Sequence, residues 1–130
     1  MSGHDIAAEW LQIAYDDYDS ALYLLERPHR KPLEIICYHC QQSVEKALKA
    51  YICAKDIEIP KTHETGILCR RCAEIASAFS SYIPQCEEIA IYATGTRYPV
   101  RIEIDEEAAR TALQQALEIY NFVRGILGRS

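Results

Sequence analysis

Tyr38-His39-Cys40-Gln41-Gln42-Ser43-Val44-Glu45-Lys46-Ala47-Leu48-Lys49-Ala50 carries its apolar side chains at steps of three and four residues. Side chains so spaced fall on one face of an α-helix. Followed outward in both directions, the stripe takes in Leu33, Cys37, Cys40, Val44, Leu48 and Tyr51 and predicts a helix from Leu33 to about Ala54. Gln42, Glu45, Lys46 and Lys49 are also separated by threes and fours and share a second, polar side. Two readings of that side stand together. It is a solvated face, or it aligns Lys46 and Lys49 toward a phosphate while Gln42 reads a base edge and Glu45 holds Arg97 or His63 in place.

Working outward from this helix, the same periodicity recurs on both sides. Ala7, Leu11, Ala14, Tyr18, Ala21 and Leu25, widened by Trp10 and Leu24, predict a first helix over about residues 5–26. Arg27-Pro28-His29-Arg30-Lys31-Pro32 ends it in a turn, because proline removes an N–H donor and clashes with the preceding turn. After the polar 55–61 stretch, Thr62 is the expected cap of a third helix with Leu68, Cys72, Ile75 and Phe79 on its buried side. A break at residues 80–84 leads to a short fourth helix over about 84–93, with proline at its first position. Thr94-Gly95-Thr96-Arg97-Tyr98-Pro99-Val100 reads as an exposed connection. Asp105, Glu106 and Glu107 then place negative charge at the start of a last helix striped by Ala109, Ala112, Ala116, Tyr120, Val123 and Leu127. The expectation is one all-α domain over residues 1–130: an up-and-down bundle of about five helices with no internal repeat and no glycine-rich phosphate loop.

Composition sets the bounds. With 49% hydrophobic and 25% charged residues, the 130-residue chain can bury a substantial core. A net charge of -5 argues against a general polyanion binder, which would present a basic face. The opening residues lack a basic stretch followed by an apolar run, and no apolar run approaches the roughly 20 residues of a membrane span. A cytoplasmic protein with no membrane contact is expected. The six cysteines are then expected as thiols.

The quoted segment resembles the second-helix signature of the HEPN (higher eukaryote and prokaryote nucleotide-binding) family, an aromatic-x-x-Gln-Gln followed by Glu-Lys-Ala-x-Lys-Ala. Three further features fall where that family would place them: Trp10-Leu11-x-x-Ala14, Thr62-His63 before the third helix, and Thr96-Arg97-Tyr98-Pro99. The resemblance implies a helical bundle that dimerises. In prokaryotes it also implies pairing with a minimal nucleotidyltransferase as a toxin–antitoxin system. Many toxic relatives are metal-independent ribonucleases in which an Arg is followed after four to six residues by a His. The chain departs from that pattern: the window after Arg97 holds Ile102, Glu103 and Ile104, and no His occurs beyond His63. Acid–base chemistry would require His63 or His39 to reach the Arg97 loop in space.

The candidate nucleotide-binding residues are Gln42, Lys46, Lys49, His63, Arg97 and Tyr98. Arg97 offers a planar cation to phosphate oxygens and Tyr98 a ring on which a base stacks. The alternative is an Arg97 ion pair with a neighbouring helix and a Tyr98-Pro99 plug at the bundle end. His63 follows a potential cap residue, so its ring either meets anions beside free helix N–H groups or packs there. Cys37-x-x-Cys40 and Cys69-x-x-Cys72 match a zinc pattern, but 28 residues separate the pairs and Cys37, Cys40 and Cys72 sit on apolar stripes, so buried thiols account for them. Neither metal nor cofactor is expected. Nine tyrosines beside two phenylalanines and one tryptophan suit a subunit interface and point to a homodimer. The leading expectation is a nucleotide- or RNA-binding module. A ribonuclease with a substituted site and a structural interaction module are the alternatives.

Overall fold

The computed structural model describes residues 2–93 and 103–128. The 94–100 connection, with Arg97 and Tyr98, lies outside the described residues. Among the described residues there are five α-helices: α1 Gly3–Leu25, α2 Leu33–Ala54, α3 Thr65–Ile75, α4 Ile83–Ile89 and α5 Glu106–Leu127. Short 3-10 turns occupy Ser77–Tyr82 and Ala90–Tyr92, and no strand occurs among the described residues.

The long helices are closed locally by side chains. Ser2 caps α1 in a reciprocal box: its Oγ accepts from the Asp5 N–H, and the Asp5 carboxylate accepts from the Ser2 N–H at 3.2 Å. Two orphan donors at the helix start are thereby satisfied, so α1 begins two residues earlier than its apolar pattern implies. At the other end no basic residue lies in the last turn, yet the Lys31 ammonium folds back onto the carbonyls of Leu25 and Arg27. Asp105 caps α5 by accepting from the Ala108 N–H at 2.8 Å.

α2 is the central element and touches α1, α3, α4 and α5. Helices α1 and α2 run antiparallel: Ser43 Oγ donates to the Ala14 carbonyl at 2.7 Å, and further along His39 Nδ1 meets Asp17 Oδ1 at 3.0 Å. Alanines at 14 and 21 of α1 and at 109, 112 and 116 of α5 are buried, and such small side chains let neighbouring helices close on Ile36, Val44, Leu48 and Ile52. Phe79 plugs the α3 side, with its ring 4.6 Å from that of Tyr51 and 4.9 Å from that of Phe122.

Three boundary expectations are corrected. Thr62 does not cap α3; Glu64 does, its carboxylate accepting from the Gly66 N–H at 2.9 Å, while Thr62 Oγ1 accepts from the Glu64 N–H. Phe79 lies in the 3-10 turn beyond α3, not on it, and α4 ends at Ile89. Cys37, Cys40, Cys69, Cys72 and Cys86 are buried free thiols. Burial pushes Cys37 up to about 11, and Cys40 and Cys72 higher, which keeps these three protonated. Among the described residues no three His, Cys, Asp or Glu side chains converge on a point that would hold a metal, and Cys37, Cys40, Cys69 and Cys72 all lie in the one main core cluster. No described helix is long and apolar enough to cross a membrane.

Candidate functional site

The polar side of α2 is not a solvated face. Glu45 is 1% exposed and Gln41 is fully buried. The cause is the chain that returns after α2. Lys55, Asp56 and Ile57 end the helix in a reversal: the Asp56 N–H donates to the Cys53 carbonyl at 3.0 Å and the Ile57 N–H to the Ile52 carbonyl at 3.3 Å. Asp56 sits at φ 56°, the left-handed conformation this type of helix end requires. Ile57 and Ile59 then pack against the core and lay the 57–64 segment back over α2. Gln41 Nε2 donates to the His63 carbonyl at 3.0 Å, which fixes the backbone at that residue.

His63 thereby reaches Glu45. Its Nδ1 lies 3.0 Å from Glu45 Oε2, while the ring remains 78% exposed. Lys49 Nζ donates to the same oxygen at 2.9 Å, and Lys46 Nζ stands 3.5 Å away while donating to Gln42 Oε1 at 2.7 Å. Gln42 Nε2 in turn donates to Gln41 Oε1 at 2.7 Å, so a continuous chain of hydrogen bonds runs from Lys46 to the His63 backbone. The Lys49 ammonium also lies 5.9 Å from the centre of the Trp10 ring on α1.

Burial alone would raise the pKa of Glu45. Hydrogen bonds from Lys49 and His63, with the Lys46 charge, more than offset it and hold the carboxyl below its ordinary value. An ionised Glu45 requires a proton on His63 Nδ1, which leaves Nε2 facing solvent. One carboxylate against two ammonium groups leaves the cluster with a net positive charge in a chain whose overall charge is -5. The cluster therefore offers an anion the partly exposed Lys46 ammonium and, when both ring nitrogens of His63 carry a proton, its Nε2–H.

Of the residues singled out from sequence, the fold brings Gln42, Lys46, Lys49 and His63 together around Glu45. Arg97 and Tyr98 lie outside the described residues. Lys49 is 11% exposed, so it serves to neutralise Glu45 more than to meet a ligand directly. Sequence reading missed Gln41 and the approach of Trp10. The Gln-Gln doublet was the available signal for the first: adjacent residues on a helix point about 100° apart, so one glutamine turns inward when the other faces the polar side.

The HEPN domain family model matches residues 7–126. The chain belongs to the HEPN domain family. A crystal structure of ST0689, an archaeal HEPN homologue, superposes with a TM-score of 0.71 at 22% identity, covering 92% of this chain and 95% of that one. At that identity the likeness establishes the shared HEPN helical fold. No curated protein sequence matches the chain.

Proposed function

We infer that this HEPN protein binds a nucleotide or an RNA phosphate at the Gln42, Lys46, Lys49 and His63 cluster, with Arg97 and Tyr98 of the 94–100 connection contributing to it. The carrying observation is the exposed His63 ring docked on the buried Glu45 carboxylate at 3.0 Å. A surface imidazole held in one orientation binds an anion without first losing its rotamer freedom. The reading extends to a homodimer that works beside a nucleotidyltransferase partner in a toxin–antitoxin pair, as the family membership suggests. Calorimetric titration with nucleoside monophosphates tests the binding. Lys46→Ala and His63→Ala should each weaken it about ten-fold, since a charge-assisted hydrogen bond contributes roughly 1.5 kcal/mol. Unchanged affinity in both variants would refute it.

One observation favours a second reading. An imidazole with Nδ1 held by a carboxylate and Nε2 free is also the arrangement of a general acid or base. Under a substituted ribonuclease, purified protein cleaves RNA in the presence of a chelator, and His63→Ala or Arg97→Ala abolishes cleavage. An unchanged rate in both variants sinks it.

A further inference from the structure

Beside the cluster, on the outer side of α1, lies a groove of about 220 Å³ lined by Ile6, Glu9, Trp10 and Ile13. These residues follow one another at steps of three, one and three, so a single helix face presents them all. Trp10 links this face to the cluster, because its ring meets the Lys49 ammonium. Contacts of 5.9, 2.9 and 3.0 Å lead from the Trp10 ring through Lys49 and Glu45 to His63. An aromatic platform and an anion site thus lie within one small ligand of each other.

We propose that this groove is the base pocket of the nucleotide site, taking a guanine stacked on Trp10 with its donor edge on Glu9 while its phosphate lies toward Lys46 and His63. The proposal rests on the phosphate reading above and adds the identity of the base. Its volume is below that of pockets for drug-sized ligands, which suits a single ring system. Its walls are two isoleucines and an indole, the kind of ring on which bases stack irrespective of sequence. The one ionisable group in it is Glu9, which is exposed and has no hydrogen-bond or ion-pair partner among the described residues. A carboxylate only accepts hydrogen bonds. Guanine presents N1–H and N2–H side by side and matches its two oxygens; uracil offers a single donor between two carbonyls that the carboxylate repels.

Trp10 is the chain's single tryptophan, so its fluorescence reports the groove directly. Guanosine monophosphate should quench it and bind about ten-fold more tightly than uridine monophosphate or ribose 5-phosphate, one bidentate pair being worth roughly that factor. Glu9→Gln, an exposed change on a helix surface, should remove the preference. Equal affinity for the three ligands, or a preference that survives in Glu9→Gln, overturns the proposal. If ribose 5-phosphate binds as tightly as the nucleotides and only Lys46→Ala weakens it, the base pocket falls and the phosphate reading stands. If guanosine alone binds as tightly as its phosphate, and Glu9→Gln abolishes both, the pocket stands and the phosphate reading falls. A 5′-phosphorylated RNA trinucleotide beginning with G, run beside the free nucleotide, shows which source of guanosine the pocket prefers, and quenching by either supports it.

Discussion

Glu45 organises the site, and its removal tests that role. Replacing it by alanine strips Lys49 of its counter-ion in a buried setting, where breaking one half of such a pair costs about 3–5 kcal/mol. About 3 kcal/mol is expected here, because Lys46 and the His63 ring reach water; urea unfolding at neutral pH would measure it. The pH dependence has a definite sign. A carboxyl held below its ordinary value stabilises the fold above the unfolded-state pKa, and the contribution disappears as pH falls through the folded value. The stability gap between the wild type and Glu45→Gln should be full at pH 7 and shrink below about pH 4; a gap that stays constant across that range would show that the charge is not the stabilising feature. From sequence, the polar side of α2 stays open between a solvated face and one on which Glu45 holds Arg97 or His63, because the spacing within one helix says nothing about what a distant segment lays over it. The covering residue, His63, lies 18 positions away and is placed by a helix end at Asp56 that no motif announced.

The long helices and the short ones differ in how far their sequences reveal them. α1, α2 and α5 each repeat their apolar stripe over five or more turns, so many positions vote for one face and their existence was legible. Between Thr65 and Tyr92 the elements are short and partly 3-10, with boundaries set by hydrogen bonds such as Thr65 Oγ1 to the Cys86 carbonyl at 2.6 Å, which tie α3 to α4. Tertiary links of that kind leave no periodic trace. Two substitutions probe how the helix ends are held. A Cβ on Gly3 would stand 2.6 Å from the Cys53 carbonyl and 2.5 Å from an Asp56 side-chain oxygen, so Gly3→Ala forces the start of α1 away from the end of α2. A loss of about 1–2 kcal/mol in thermal unfolding is expected, and no change would mean that this terminus yields freely. Asp56→Gly acts in the opposite direction. Removing the side chain from the left-handed position relieves backbone strain, and a gain of about 0.5 kcal/mol is expected by the same assay.

At the scale of the whole molecule, the cationic cluster is local and the chain is acidic overall. The chain has 19 acidic against 14 basic residues, and both α1, with Asp5, Glu9, Asp16, Asp17 and Asp19, and the start of α5, with Asp105, Glu106 and Glu107, carry carboxylates. A ligand that touches only the Lys46 and His63 edge feels a short-range attraction, while a long polyanion laid across the molecule also meets repulsion extending about a Debye length, roughly 10 Å at 0.1 M salt. The number of phosphates neutralised can be read from the salt dependence, since the logarithm of affinity falls with a slope of about 0.7 per contact for single strands. The cluster supplies one or two such contacts, so a 20-nucleotide single-stranded RNA should show a slope between about -0.7 and -1.4 when titrated by fluorescence anisotropy from 50 to 300 mM salt. A slope steeper than about -4 would mean that six or so phosphates are neutralised together. That outcome would move the nucleic-acid contact from this small cluster to an extended basic surface and defeat a single-nucleotide reading of the site.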